Sequence, residues 1–187
     1  IGKCGRTFEK HMAVLPIIIA PDPRLKKKCT PIDRVDDDIA TLMADMLETM
    51  YLAPGIGLAA PQIGVTKRVI VVDASGKDEN PAPIKMANPE ILSASDELWA
   101  YEEGCLSLPD HYAEVERPAK ITVGYLDESN ARQELEAEEL LATCIQHEMD
   151  HLNGMLFVDH ISALKRNMIL RKLTKAKKLK AHDAAAD

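Results

Sequence analysis

The chain has 187 residues, with 23 Lys and Arg against 30 Asp and Glu, for a net charge of −7. At 46% hydrophobic and 28% charged it suits one packed domain, which excludes a disordered or fibrous protein. Aromatic residues make up only 4%, which excludes a stacking platform for single-stranded nucleic acid.

Residues 1–11 run into a His11-Met12 dipeptide of the kind left by cloning and lack the apolar core of a signal peptide. They read as an expression-tag remnant, followed by a single domain over residues 12–181. From Asp36, the apolar residues Ile39, Leu42, Met43, Met46, Leu47 and Met50 recur at helical spacing behind an acidic first turn, until Pro54-Gly55 ends the helix. A methionine stripe of this kind is core packing. Val69–Val72 reads as a strand and Ser75–Pro83 as a polar loop. Alternation over Lys120–Leu126 and Gln133–Ala137, either side of an Asp127–Asn130 turn, predicts an antiparallel hairpin. Leu141, Cys144, Ile145, Glu148, Met149 and Leu152 predict a second helix that Asn153-Gly154 closes. A last helix over residues 162–180 holds eight Lys and Arg and no acid, and residues 182–187 read as a disordered tail. Without repeated βαβ units the fold class is α+β: a central helix packed on antiparallel β-sheets, with an N-terminal and a C-terminal helix.

The sharpest motif is His147-Glu-Met-Asp-His151, an H-E-x-x-H on the second helix. Residues four apart share a helix face, so both imidazoles reach one metal ion while Glu148 projects to the flank where a reacting water would sit. A catalytic divalent metal takes a third protein ligand. Asp159 and His160 lie beyond the helix end and outside the zincin frame. Cys105, next to Gly104 on a non-helical segment, has the setting of a thiolate ligand. Asp150 reads as an acceptor behind the ligands or as a solvent-facing acid. Gly55-Ile-Gly-Leu-Ala-Ala-Pro-Gln62 imitates a dinucleotide fingerprint, but it follows a helix, and Pro61 and Gly64 leave no room for another. It reads as backbone brought close to a substrate, with the Gln62 amide as a hydrogen-bond donor.

In this order Gly55–Gln62, Glu103-Gly-Cys-Leu-Ser107 and Gln146-His-Glu-Met-Asp-His-Leu-Asn-Gly154, with Ala20-Pro-Asp-Pro23 ahead of them, resemble the signature motifs of the peptide deformylases. The resemblance is to the bacterial type with a helical C-terminus. It implies a metal-dependent hydrolase that removes the formyl group from the formylmethionine of nascent chains and releases formate. Cys105, His147 and His151 would bind the metal, with Fe²⁺ in the cell and Zn²⁺, Ni²⁺ or Co²⁺ as replacements in purified protein. Glu148 would be the general acid and base, and the Gln62 side chain and Leu106 backbone N–H would stabilise the oxyanion. Ile56, Gly57, Tyr101, Glu103, Gly104, Leu140, Thr143 and Cys144 would form the substrate pocket. Thr143 stands where many relatives carry a larger aliphatic residue, which implies a roomier or more polar rim. Cys144 would pack first and line the pocket second, and Arg117 would be a peptide-backbone contact or an ordinary surface residue.

The last helix contributes +8 to a total of −7, so the rest of the chain carries −15. That segregation suits an electrostatic tether to RNA, and in bacterial relatives such a helix is associated with docking on the ribosome near the nascent-chain exit. The expected partners are formylmethionyl nascent peptides and the ribosome, with no membrane and no sequence-specific nucleic acid. Lys26, Lys27 and Lys28 have no evident partner. Cysteines at 4, 29, 105 and 144 make no C-x-x-C pair, and no transit-like segment follows Met12, which together predict the bacterial cytoplasm. A metallopeptidase would share H-E-x-x-H, but Cys105 and the Gly-lined approach disfavour it. A non-catalytic ribosome-binding protein would have no use for Glu148.

Overall fold

The computed structural model describes residues 13–76 and 78–183, with side chains as far as residue 179. Helix α1 (Asp37–Leu52) begins where the Asp36 carboxylate accepts the Ile39 N–H at 3.0 Å, and Asp37 and Asp38 sit at the positive end of its dipole. Its stripe buries Ile39, Met43, Met46 and Met50. The Gly-rich segment that follows is not a free loop. Gly57–Ala59 forms strand β1, and Ala60–Ile63 makes one 3₁₀ turn, which Pro61 tolerates because a first-turn N–H has no helical partner. Gly64 closes that turn at φ +85°, a left-handed conformation open to glycine.

Strand β2 (Val69–Val72) pairs with β1 and with β3 (Ile84–Ala94), β3 pairs with β6 (Lys120–Leu126), and β6 with β7 (Arg132–Glu138). All four pairings are antiparallel and give a five-stranded sheet in the order β1-β2-β3-β6-β7. Strands β4 (Leu98–Cys105) and β5 (Leu108–Pro118) form a separate two-stranded ribbon. The sequence signal for β3 to β5 is weak for a physical reason. Two register shifts interrupt β3 against β6, and the ribbon's outer face carries Glu102, Glu114 and Glu116, which blunts the apolar alternation.

β2 shows how the core is divided. Val69 and Val71 pack with Met43, Met46 and Met50 of α1, while Ile70 and Val72 pack with Ile145 and Met149 of α2 (Glu139–Leu152) on the opposite face. A strand buried on both sides reads as a continuous apolar run. Helix α2 leaves β7 with no intervening loop. Glu139 takes φ +49° there, and its N–H donates to the Ala119 carbonyl at 2.8 Å.

Helix α3 (Ala163–Asp183) packs Ile169, Leu170 and Leu173 against Leu25, Leu156 and Phe157, which also meet Leu108 and Val115 of the ribbon. It extends three residues past the expected end and takes in His182 and Asp183 of the expected tail. The supposed tag and residues 184–187 lie outside the described residues. Among the described residues no helix is long and apolar enough to cross a membrane.

Candidate active site

Helix α2 turns His147, Glu148 and His151 into the interior, where they are 7%, 4% and 1% exposed. Polar groups buried this deeply are costly unless each has a partner. His147 Nδ1 is 2.7 Å from Glu103 Oε2, so Nε2 is the nitrogen left for the cluster. Cys105, at the end of β4, brings its Sγ to 3.3 Å from His151 Nε2. The ligand atoms of Cys105, His147 and His151 all lie within 4.8 Å of one another. Glu148 Oε2 and His151 Nδ1 have no hydrogen-bond partner among the described residues.

These residues fit a metal. One sulfur and two imidazole nitrogens are ligands for Fe²⁺, Zn²⁺, Ni²⁺ or Co²⁺. The Glu103–His147 bond fixes the tautomer, as a carboxylate behind a ligating histidine does. The orphaned Glu148 oxygen marks a site that needs a group from outside the protein.

Burial pushes the Glu148 carboxyl up to about 7. It also holds His151 well below its ordinary value, an effect to which His147 adds. Burial acts on His147 in the same sense, but hydrogen bonds to Cys105 and Glu103 outweigh it and hold that ring well above its usual value. Glu103 is the opposite of Glu148: burial opposes its ionisation, yet hydrogen bonds from His147 and Arg117 bring it down to about 2.

A cavity of about 700 Å³ opens onto this cluster. Ile56 and Gly57 line it from one side, Tyr101 to Cys105 of β4 and Leu106 from another, and Leu140, Thr143, Cys144, His147 and Glu148 of α2 from a third. Gln62 reaches it from the 3₁₀ turn and is held at both ends. Its Oε1 accepts the Ala59 N–H at 2.8 Å, and its Nε2 donates to Ser107 Oγ at 3.2 Å and to Cys105 Sγ at 3.6 Å.

The polypeptide deformylase family model matches residues 14–167 of the chain. The peptide deformylase of Rhizobium meliloti is 56% identical over 173 residues, which cover 92% of this chain and 99% of that one. The chain belongs to the polypeptide deformylase family. Two crystal structures of the Ehrlichia chaffeensis peptide deformylase share its fold. One is 36% identical with a TM-score of 0.86, covering 90% of this chain and 99% of that chain. The other, in complex with actinonin, is 39% identical with a TM-score of 0.85, covering 88% and 98%. As a deformylase the chain is a metal-dependent hydrolase that removes the formyl group from nascent peptides.

The residues singled out from the sequence come together. Of the expected metal, catalytic and substrate-pocket residues, all line the deformylase cavity except His151, which meets Cys105 in the ligand cluster, while Asp150 and Arg117 stand behind it. Cys144 both packs in the core and lines the cavity, and its thiol donates to the Ile56 carbonyl at 3.3 Å. The Thr143 hydroxyl is buried and has no partner among the described residues.

Two other expectations need correction. Arg117 is neither a surface residue nor a cavity contact: it is 5% exposed and is held by both oxygens of Glu103 and by Asp150. Lys26 does have a partner, the Asp159 carboxylate. His160, set aside as a metal ligand, lies outside the ligand cluster and bonds Asp150 Oδ2 through Nε2 at 2.7 Å. The available signal for Arg117 was its place two residues after buried Val115 on one strand, which puts both side chains on the inner face.

Proposed function

We propose that Cys105, His147 and His151 hold a divalent cation, Fe²⁺ in the cell with Zn²⁺, Ni²⁺ or Co²⁺ as replacements, and that Glu148 moves the proton of the deformylation reaction. The observation that carries this reading is the meeting of three ligand atoms within 4.8 Å beside a buried carboxyl oxygen that has no partner. A cation bound there supplies Lewis acidity, which eases deprotonation of a water and polarises the formyl carbonyl. Glu148 Oε2 accepts the proton as the water oxygen attacks the formyl carbon. It then delivers that proton to the amine nitrogen as the C–N bond breaks, giving formate and a free N-terminus. Burial raises this carboxyl in the metal-free protein, and a cation bound beside it would oppose that rise and favour the ionised form that takes the proton.

Gln62 Nε2 and the Leu106 N–H donate to the oxyanion that forms during attack. Gln62 is anchored through Ala59 and Ser107, so little reorganisation is needed. Ile56, Tyr101, Leu140, Thr143 and Cys144 enclose the methionine side chain beside Glu103. Gly57 and Gly104 let the peptide backbone come close. Because β1 is an edge strand, an extended nascent chain lies along it as an added strand.

The exposed side of α3 carries Lys165, Arg171, Lys172, Lys175 and Lys178, while Ile169, Leu170 and Leu173 face the body. This cationic side docks on ribosomal RNA near the nascent-chain exit. The reading assigns the enzyme to the bacterial cytoplasm.

The test is anaerobic hydrolysis of formyl-Met-Ala-Ser, followed as formate release, for wild type and Cys105→Ala, each reconstituted with Fe²⁺. Formate from the wild type alone is the expected result. Equal activity in both would remove the thiolate from the ligand set, and no formate from either would overturn the site.

A further inference from the structure

Asp150 does not line the cavity, yet it belongs to a line of hydrogen bonds that starts at the ligand cluster. His147 Nδ1 meets Glu103 Oε2 at 2.7 Å, and Arg117 donates Nε and Nη2 to the two oxygens of Glu103. Arg117 Nη1 then donates to Asp150 Oδ2 at 2.9 Å, and His160 Nε2 lies 2.7 Å from that same oxygen. A carboxylate only accepts, so His160 Nε2 carries the hydrogen.

The line has a rigid inner end and a looser outer one. Glu103 and Arg117 are buried, and their two-pronged contact fixes the guanidinium plane. The Asp150 and His160 side chains are 17% and 29% exposed, so water competes for the last bond. Among the described residues, Arg117 and His160 are the only side chains that donate to the Asp150 carboxylate. His160 is itself fixed by the turn at Phe157–Asp159, where its N–H donates to the Phe157 carbonyl at 3.0 Å. It is therefore the group that keeps Asp150 turned toward Arg117.

We propose that His160 is a positioning residue for the metal centre, acting through Asp150, Arg117 and Glu103 on the orientation of His147. This rests on the reading of Cys105, His147 and His151 as the ligands. Loss of a carboxylate directly behind a ligating histidine lowers metal affinity about 10- to 100-fold. His160 stands three links further out, so loss of its donor is expected to weaken binding about 3- to 10-fold.

The experiment uses the full chain, freed of metal and titrated with Co²⁺. Affinity is read by competition with a chelator, and ligand geometry by the visible absorption bands. His160→Ala is expected to weaken Co²⁺ binding and shift the bands, with no change in the metal-free melting temperature. His160→Gln, which keeps an N–H donor of similar reach, is expected to stay within about 2-fold of the wild type. A loss that His160→Gln shares, or that tracks a lower metal-free melting temperature, overturns the proposal. His147→Ala separates the two levels. If it abolishes binding while His160→Ala matches the wild type in affinity and spectrum, the relay fails and the ligand assignment stands. If His147→Ala binds Co²⁺ as the wild type does, the ligand assignment fails and the relay falls with it.

Discussion

Gly57 and Glu148 leave no room between them: a Cβ on Gly57 would lie 2.3 Å from Glu148 Oε1 and 2.8 Å from Cys144 Sγ. The carboxylate is the far end of a flexible side chain, so it would yield before the backbone did. Gly57→Ala is therefore expected to fold and to displace Glu148, the group proposed to move the proton. Displacement by a fraction of an ångström to an ångström at a reacting centre costs about 10²-fold in rate. Formate release measured beside metal content should show kcat down by about that factor with the metal retained. An undiminished kcat would mean that the geometry of Glu148 does not matter.

Glu148 and Glu103 are two buried carboxyls with opposite shifts, about 7 and about 2 from an ordinary 4.5, and this predicts opposite pH effects on the metal-free protein. The raised Glu148 contributes stability that is complete below pH 4.5 and is lost as pH rises through about 7. Glu148→Gln removes that loss, so at pH 8 the variant should melt no lower than the wild type while its kcat falls about 10²- to 10⁴-fold. The depressed Glu103 contributes stability that is present above pH 4.5 and is lost as pH falls through about 2. Thermal melts of the wild type should therefore show an acid decline that sets in only as pH falls below 4.5 toward about 2. Glu103→Gln should melt lower at pH 6 and show a shallower decline, because its Arg117 is left with an incomplete partner.

What was legible in the sequence was local. The H-E-x-x-H face needs only the 3.6-residue period of one helix, and the double-sided burial of β2 shows in four consecutive β-branched residues. The setting of Cys105 offered it as the third ligand beside His147 and His151, and the family resemblance fixed that assignment and added Gln62 to the same site. The links that fix the site depend on pairing register and long-range packing, which spacing along the chain does not encode. Glu103 meets Arg117 because β4 and β5 fold back on each other with Glu103 opposite Ala113 and Trp99 opposite Arg117. Lys26 meets Asp159 across 133 residues, and Gln62 reaches Ser107 across 45. Bulged β3 carried too little alternation to be seen at all.

Gln62 offers a clean division between holding and donating. Its Oε1 holds the Ala59 N–H and its Nε2 points to the Cys105–Ser107 turn. Gln62→Glu keeps the first contact and loses the donor. The expected effect is a fall of about 10²- to 10³-fold in kcat with KM little changed, since a donor to the oxyanion acts mainly in the transition state. A change in KM alone would assign Gln62 to ground-state binding.

The C-terminal helix calls for charge substitution and not truncation. Leu173 is buried, and Ile169 and Leu170 pack beside it on Leu25, Leu156 and Phe157. Deleting α3 would remove those contacts, and a single large-to-small change at such a site costs about 2–5 kcal/mol. Replacing Lys165, Arg171, Lys172, Lys175 and Lys178 with Gln removes five exposed charges and leaves the packed side intact. Ribosome co-sedimentation across a salt series should then weaken and lose most of its salt dependence, because each cation on phosphate contributes to the counterion slope. Hydrolysis of formyl-Met-Ala-Ser should be unchanged, since none of the five residues lines the cavity. Wild-type binding at every salt concentration would show that the cations of α3 are a solvated surface with no part in docking.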